Sequence, residues 1–223
     1  MSPRRFDAIV FDLDGTLADS AADISLALRR AFADLEIHVS KPIESLVDGS
    51  PLEEIFAVAA PGADHSLFDR FVSRYRAHYL ATGHSQTRLY PGVIETLEAL
   101  DLLAPRPRLA IATSKRPETA RGLCLATGIA RYFDLIEGSG GSAMRHKPAP
   151  DLLLSVATAL DVSPSRSLMV GDTARDILAG RAAGMCTAAV LYGLGSREDL
   201  TSAAPDHTLE DIEDVLTLVA SMA

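Results

Sequence analysis

Five short apolar runs, set at intervals along a chain of 223 residues, constrain the fold more than any other feature. They are Ala8-Ile9-Val10-Phe11, Leu109-Ala110-Ile111-Ala112, Ser167-Leu168-Met169-Val170-Gly171, Thr187-Ala188-Ala189-Val190-Leu191 and the fainter Phe133-Asp134-Leu135-Ile136. A strand that is apolar on both faces belongs in a parallel sheet covered by helices on each side. The stretches between the runs carry helical spacing: Val93–Leu103, Pro117–Thr127 stopped by Gly128, Pro150–Leu160, and Ala174–Ala183 stopped by Gly184. From about residue 88 onward strand and helix alternate, which predicts an α/β fold with a doubly wound, Rossmann-like parallel sheet.

One stretch breaks the alternation. Between Asp19 and Thr87, Ile24, Leu28, Ala31 and Leu35 recur at helical spacing, and helical patterns follow at Leu52–Ala59 and Leu67–Leu80. No strand-like run intervenes. The chain therefore reads as a Rossmann-like core of residues 1–18 and 88–223, with a small all-helical cap domain, residues 19–87, inserted after the first strand. Beside a catalytic site, such an insertion can serve as a lid that excludes water.

Charge and cysteine content remove several classes of function. Lys and Arg number 21 against 30 Asp and Glu, a formal charge of −9, which argues against the basic surface that nucleic-acid binding needs. No apolar run reaches bilayer-spanning length, and the start, Met1 to Asp7, lacks the apolar core of a secretory signal. A soluble cytoplasmic protein that binds neither nucleic acid nor membrane is expected. Cys124 and Cys186 stand far apart and in no CxxC pattern, so two buried free thiols are expected rather than a disulfide or zinc site.

Ligands of an open parallel sheet bind outside the carboxyl ends of its strands. The polar residues that end the proposed strands are Asp12 with Asp14, Thr113 with Ser114, and Asp172 with Asp176 behind it; Lys147 lies in a loop before a helix. Taken singly, Asp14-Gly15 is a common turn, Lys147 a surface lysine, and Asp172 and Asp176 helix caps. Their convergence on one sheet edge favours a site. Two carboxylates ~4 Å apart repel by ~1 kcal/mol in water and ~4 kcal/mol at a protein-like dielectric, so such a cluster holds a proton or a cation. Oxygen ligands suit Mg²⁺, which is held by a few carboxylates together with a substrate phosphate. The six histidines form neither HxH nor HExxH, an EF-hand is excluded by Leu17 and Asp23 at its glycine and glutamate positions, and Gly138–Ala143 reads as a loop rather than a dinucleotide motif. With a phosphate on the metal, a carboxylate can attack phosphorus, a second can move protons, and Lys147 with donors around Thr113 can stabilise the transferred group.

These residues in this order resemble the haloacid dehalogenase superfamily, in its phosphoglycolate-phosphatase-like branch, over essentially the whole chain. The first motif, DxDGT, stands as Asp12-Leu13-Asp14-Gly15-Thr16. The second stands as Thr113, the third as Lys147 before Pro148, and the fourth, GDxxxD, as Gly171-Asp172-Thr173-Ala174-Arg175-Asp176. The resemblance implies a Mg²⁺-dependent phosphatase acting on a small phosphorylated metabolite through an aspartyl-phosphate. It implies Asp12 as nucleophile and Asp14 as general acid/base. Thr113, Ser114 and Lys147 would bind substrate; the Asp12 and Asp172 carboxylates and the Asp14 main-chain carbonyl would ligate the metal, with Asp176 behind them. Asp14 argues against a hydrolytic dehalogenase. Gly49-Ser50-Pro51-Leu52 lacks the arginine of mutases resembling β-phosphoglucomutase, and the insertion's only lysine, Lys41, gives little support to a Schiff-base phosphonate hydrolase. A mutase, a pyrophosphatase and a nucleotidase remain the alternatives on the same fold. Arg70, Arg74, Arg76 and His78 read as a solvated helix face, and His38, His65 and His207 as surface residues.

Overall fold

The computed structural model describes residues 6–139 and 144–221, and over these the chain divides into two compact units. One comprises residues up to Ala18 and from Leu89 onward; the other is Asp19–Arg88. In chain order the strands are β1 (Ala8–Phe11), β2 (Ala18–Asp19), β3 (Arg88–Leu89), β4 (Arg108–Thr113), β5 (Leu135–Gly138), β6 (Ser167–Gly171), β7 (Cys186–Val190) and β8 (His207–Leu209). The α-helices are α1 (Ala21–Asp34), α2 (Leu52–Ala59), α3 (Phe68–Ala81), α4 (Val93–Asp101), α5 (Pro117–Ala126), α6 (Asp151–Ala159), α7 (Ala174–Ala183), α8 (Arg197–Ala203) and α9 (Asp214–Ser221).

The first unit is built on a six-stranded sheet of order β5-β4-β1-β6-β7-β8, parallel throughout. Its four central strands, β4, β1, β6 and β7, are buried on both faces because both faces are covered. Ile9, Phe11, Leu109, Ile111, Leu168 and Val170 enter one buried cluster. The residues between them, Val10, Ala110, Ala112 and Met169, enter the other. From β1 the chain proceeds to β4 on one side, and from β6 to β7 on the opposite side. The carboxyl ends of β1 and β6 therefore flank the point where the winding reverses, which is where a crevice opens in folds of this kind. Asp12 follows β1 and Asp172 follows β6.

The second unit holds α1, α2 and α3 around a separate apolar cluster that includes Leu28, Phe32, Phe56 and Phe71. The Phe71 ring centroid lies 4.5 Å from that of Phe32 and 5.1 Å from that of Phe56. Arg70, Arg74 and Arg76 are exposed on α3, and His78 is half-buried, its Nε2 2.8 Å from an Asp34 oxygen.

Several expectations need adjustment. Strand β8 has no long apolar run to announce it; it is a three-residue edge strand with Leu209 as its buried anchor. It takes in His207, which is half-buried. Cys124 is buried, its thiol pushed up to about 12 mainly by burial, whereas Cys186 is only half-buried. Most of the Gly138–Ala143 segment lies outside the described residues, as do Met1–Arg5; Gly138 itself closes β5. Among the described residues no helix is long and apolar enough to cross a membrane.

Candidate active site

The segment after β1 folds back on itself. The Gly15 N–H donates to the Ala18 carbonyl at 2.9 Å, and the Leu17 and Ala18 N–H groups both donate to the Leu13 carbonyl. This turn requires a left-handed residue, supplied by Gly15 at φ +84°. The glycine is also required by its neighbour, because a Cβ at position 15 would stand 2.0 Å from an Asp172 oxygen. The first and fourth motifs are thus packed directly against each other.

Three buried carboxylates meet there. Asp12, Asp172 and Asp176 place oxygen atoms within 4.8 Å of one another, an arrangement that can hold a metal ion. Lys147, only 4% exposed, lies among them. Its Nζ donates to Asp12 Oδ1 at 2.6 Å, to the Ala112 carbonyl at 3.0 Å and to Asp176 Oδ1. The other Asp176 oxygen accepts from the Thr173 N–H at 3.0 Å and hydroxyl at 2.6 Å, in a capping box that starts α7. Asp176 is therefore tied to the protein through both oxygens. Asp172 Oδ1 accepts from the Thr16 hydroxyl at 2.9 Å and Oδ2 from the Leu194 N–H at 2.8 Å.

Charge is out of balance in this pocket. Three carboxylates face one ammonium, largely shielded from bulk water. Burial, partly opposed by Lys147 and reinforced by Asp176, Asp172 and Asp14, holds the Asp12 carboxyl well above the usual range. Burial and then Asp176 push Asp172 up to about 7, against the hydrogen bonds from Leu194 and Thr16. Burial alone would depress the Lys147 ammonium, but Asp12 and Asp176 overcome it and hold the group above its ordinary value. A divalent cation fits this donor set, since it would offset the surplus negative charge that raises both aspartates.

Asp14 lies apart from the carboxylate cluster. Its Oδ2 is 3.1 Å from Lys115 Nζ, with both side chains largely buried. Thr113 is buried at the end of β4 and its hydroxyl accepts from the Lys115 N–H at 3.3 Å. Ser114 is exposed, and its carbonyl accepts from the Ser139 hydroxyl at 2.9 Å.

Three contributors were not singled out from sequence: Thr16, Lys115, and the Tyr192–Gly195 stretch after β7. Thr16 and Leu194 hold Asp172, and the Tyr192 hydroxyl donates to the Thr16 carbonyl at 2.7 Å. A Cβ on Gly193 would lie 2.3 Å from Asp172 Cβ. The available signal was a glycine-rich run, Tyr192-Gly193-Leu194-Gly195, at the carboxyl end of a strand, where backbone must approach a site closely.

Residues 9–190 match the haloacid dehalogenase-like hydrolases, and the chain belongs to that family. Within it, the chain falls among the phosphatases. It is 34% identical to a phosphoglycolate phosphatase of Aquifex aeolicus, with 95% of each chain covered. It is 31% identical to the pyrophosphatase PpaX of Oceanobacillus iheyensis, again over 95% of each. A solved haloacid dehalogenase-like hydrolase from Streptococcus pneumoniae superposes with a TM-score of 0.84 at 31% identity, covering 96% of this chain and 98% of that one.

Proposed function

We propose that the chain is a Mg²⁺-dependent phosphatase that cleaves a small phosphate monoester, of the phosphoglycolate kind, through an aspartyl-phosphate on Asp12. The observation that carries this reading is the junction of Asp12, Lys147 and Asp172 at the reversal point of the sheet, with Asp14 two residues from the nucleophile. The Asp12 carboxylate attacks phosphorus as the ester P–O bond breaks, and protonated Asp14 gives its proton to the departing oxygen. Water then attacks the phosphoryl group, returning a proton to Asp14 and releasing inorganic phosphate and free Asp12. Lys147 keeps Asp12 oriented and offsets charge beside the transferred group. Thr113 and Ser114, at the end of β4, supply donors for the phosphoryl oxygens.

The Asp12 and Asp172 carboxylates and the Asp14 main-chain carbonyl would hold Mg²⁺, with Asp176 fixed behind them by Lys147 and Thr173. When bound, the ion neutralises charge on the phosphoryl oxygens. Pyrophosphate is a second reading of the substrate, supported by the similarity to PpaX.

The test is hydrolysis of p-nitrophenyl phosphate and a panel of phosphorylated metabolites, in Mg²⁺ and in EDTA. Turnover in Mg²⁺ that stops in EDTA is expected, with Asp12→Asn inactive and forming no phosphoenzyme. Robust turnover in EDTA overturns the metal assignment, and near-wild-type turnover by Asp12→Asn overturns the nucleophile.

A further inference from the structure

We propose that Lys115 selects substrates whose leaving group carries a second negative charge close to the ester oxygen. This rests on the phosphatase reading above and assigns specificity to a residue of the same site. A general acid must come within hydrogen-bond reach of the oxygen it protonates. If Asp14 is that acid, the leaving oxygen stands beside its carboxylate. Lys115 Nζ is 3.1 Å from the same carboxylate, so whatever the leaving oxygen carries meets the Lys115 ammonium. An ammonium has three N–H donors and can engage Asp14 and a second anion together.

The position of Lys115 is built, not incidental. Its side chain is only 11% exposed. Its backbone is pinned by the end of β5: the Ser139 N–H donates to the Thr113 carbonyl at 3.0 Å, and the Ser139 hydroxyl donates to the Ser114 carbonyl at 2.9 Å. Gly138 permits this approach, since a Cβ there would lie 2.2 Å from the Lys115 carbonyl oxygen. Immediately afterwards Pro117 starts α5, which fixes the segment from the other side.

Electrostatics set the direction of the preference. A leaving group with its own carboxylate or phosphate would be repelled by the acidic cluster behind Asp14, and by Asp14 itself once its proton has been given up. Lys115 reverses that repulsion locally, whereas a neutral leaving group gains nothing from the ammonium. Phosphoglycolate, whose carboxylate is separated from the ester oxygen by one methylene, and pyrophosphate, whose leaving group is itself an anion, share the required chemistry.

The experiment measures kcat/KM for 2-phosphoglycolate, pyrophosphate and ethyl phosphate, in Mg²⁺, with the wild type, Lys115→Met and Lys115→Arg. Ratios within one preparation are insensitive to the fraction of protein that is folded. We expect the larger of the two anionic-to-ethyl-phosphate ratios to fall at least tenfold in Lys115→Met and to be largely retained in Lys115→Arg. Whichever anionic substrate carries that ratio identifies the source of the second charge. A ratio unchanged within twofold in Lys115→Met, or a loss of equal size on all three substrates, overturns the role of Lys115 alone. A wild type inactive on all three, and on the wider panel, overturns the phosphatase reading and this inference with it.

Discussion

Replacing Asp172 with Asn should stabilise the metal-free protein, by an amount that grows with pH. The side chain is fully buried against Asp176, and its carboxyl is pushed up to about 7 from the ordinary 3.8. In the window between these values the folded protein holds a proton that the unfolded chain has released, so stability falls as pH rises toward 7. The whole interval corresponds to on the order of 4 kcal/mol, present in full above pH 7 and at roughly a third of that size at pH 5. An asparagine carries no such cost. Its oxygen can keep the Leu194 N–H, and its NH₂ can donate to Thr16, whose hydroxyl accepts as readily as it donates. For a chain of this size each kcal/mol moves the melting temperature by about 2–4 °C, so a gain of about 8–16 °C is expected at pH 8. Thermal melts of both proteins in EDTA at pH 5, 6, 7 and 8 make the comparison. A variant no more stable than wild type at pH 8, or a gain equal at pH 5 and 8, would falsify the account of an uncompensated buried charge. Adding Mg²⁺ should reverse the order by stabilising only the wild type.

Two further outcomes follow from packing. Gly15→Ala places a methyl group at φ +84° and on an Asp172 oxygen, so a loss of a few kcal/mol in stability and of nearly all Mg²⁺-dependent turnover is expected; a variant with normal melting and activity would refute the tight apposition of the two motifs. Phe71→Ala removes the ring that Phe32 and Phe56 pack against and should cost about 3–5 kcal/mol, read by denaturant unfolding of the full chain. A change under about 1 kcal/mol would mean that the aromatic cluster does not hold the inserted unit together.

The elements legible in the sequence are those whose periodicity reports burial. Strand β1 matches its apolar run because Ile9 and Phe11 face one covered side and Val10 the other. Helices α2 and α7 have the expected bounds, the latter because Thr173 and Asp176 cap its start. Strand β8 escaped because an edge strand of three residues needs only one buried anchor, Leu209, and has no period to display. At the site, the carboxylates and Lys147 were legible because they end apolar runs or precede a helix. Their supports were not. The hydrogen bond from Leu194 to Asp172 is made by backbone, which any residue can supply, and the Lys115–Asp14 pair joins residues a hundred positions apart with nothing in their local spacing to connect them.

The way the chain departs from and returns to its sheet bears on how much change in length the fold tolerates. The Leu17 carbonyl accepts from the Tyr90 N–H at 3.1 Å, so the sheet-bearing unit is closed at the point where the helical unit leaves and rejoins it. To that sheet, everything between is a loop, and the entropy of closing a loop rises by only about 0.6 kcal/mol for each doubling of its length. Asp12, Asp14, Lys115, Lys147 and Asp172 all belong to the closed part. The span between can be lengthened or shortened at little thermodynamic cost to the sheet, while these five side chains keep their places in the closed part.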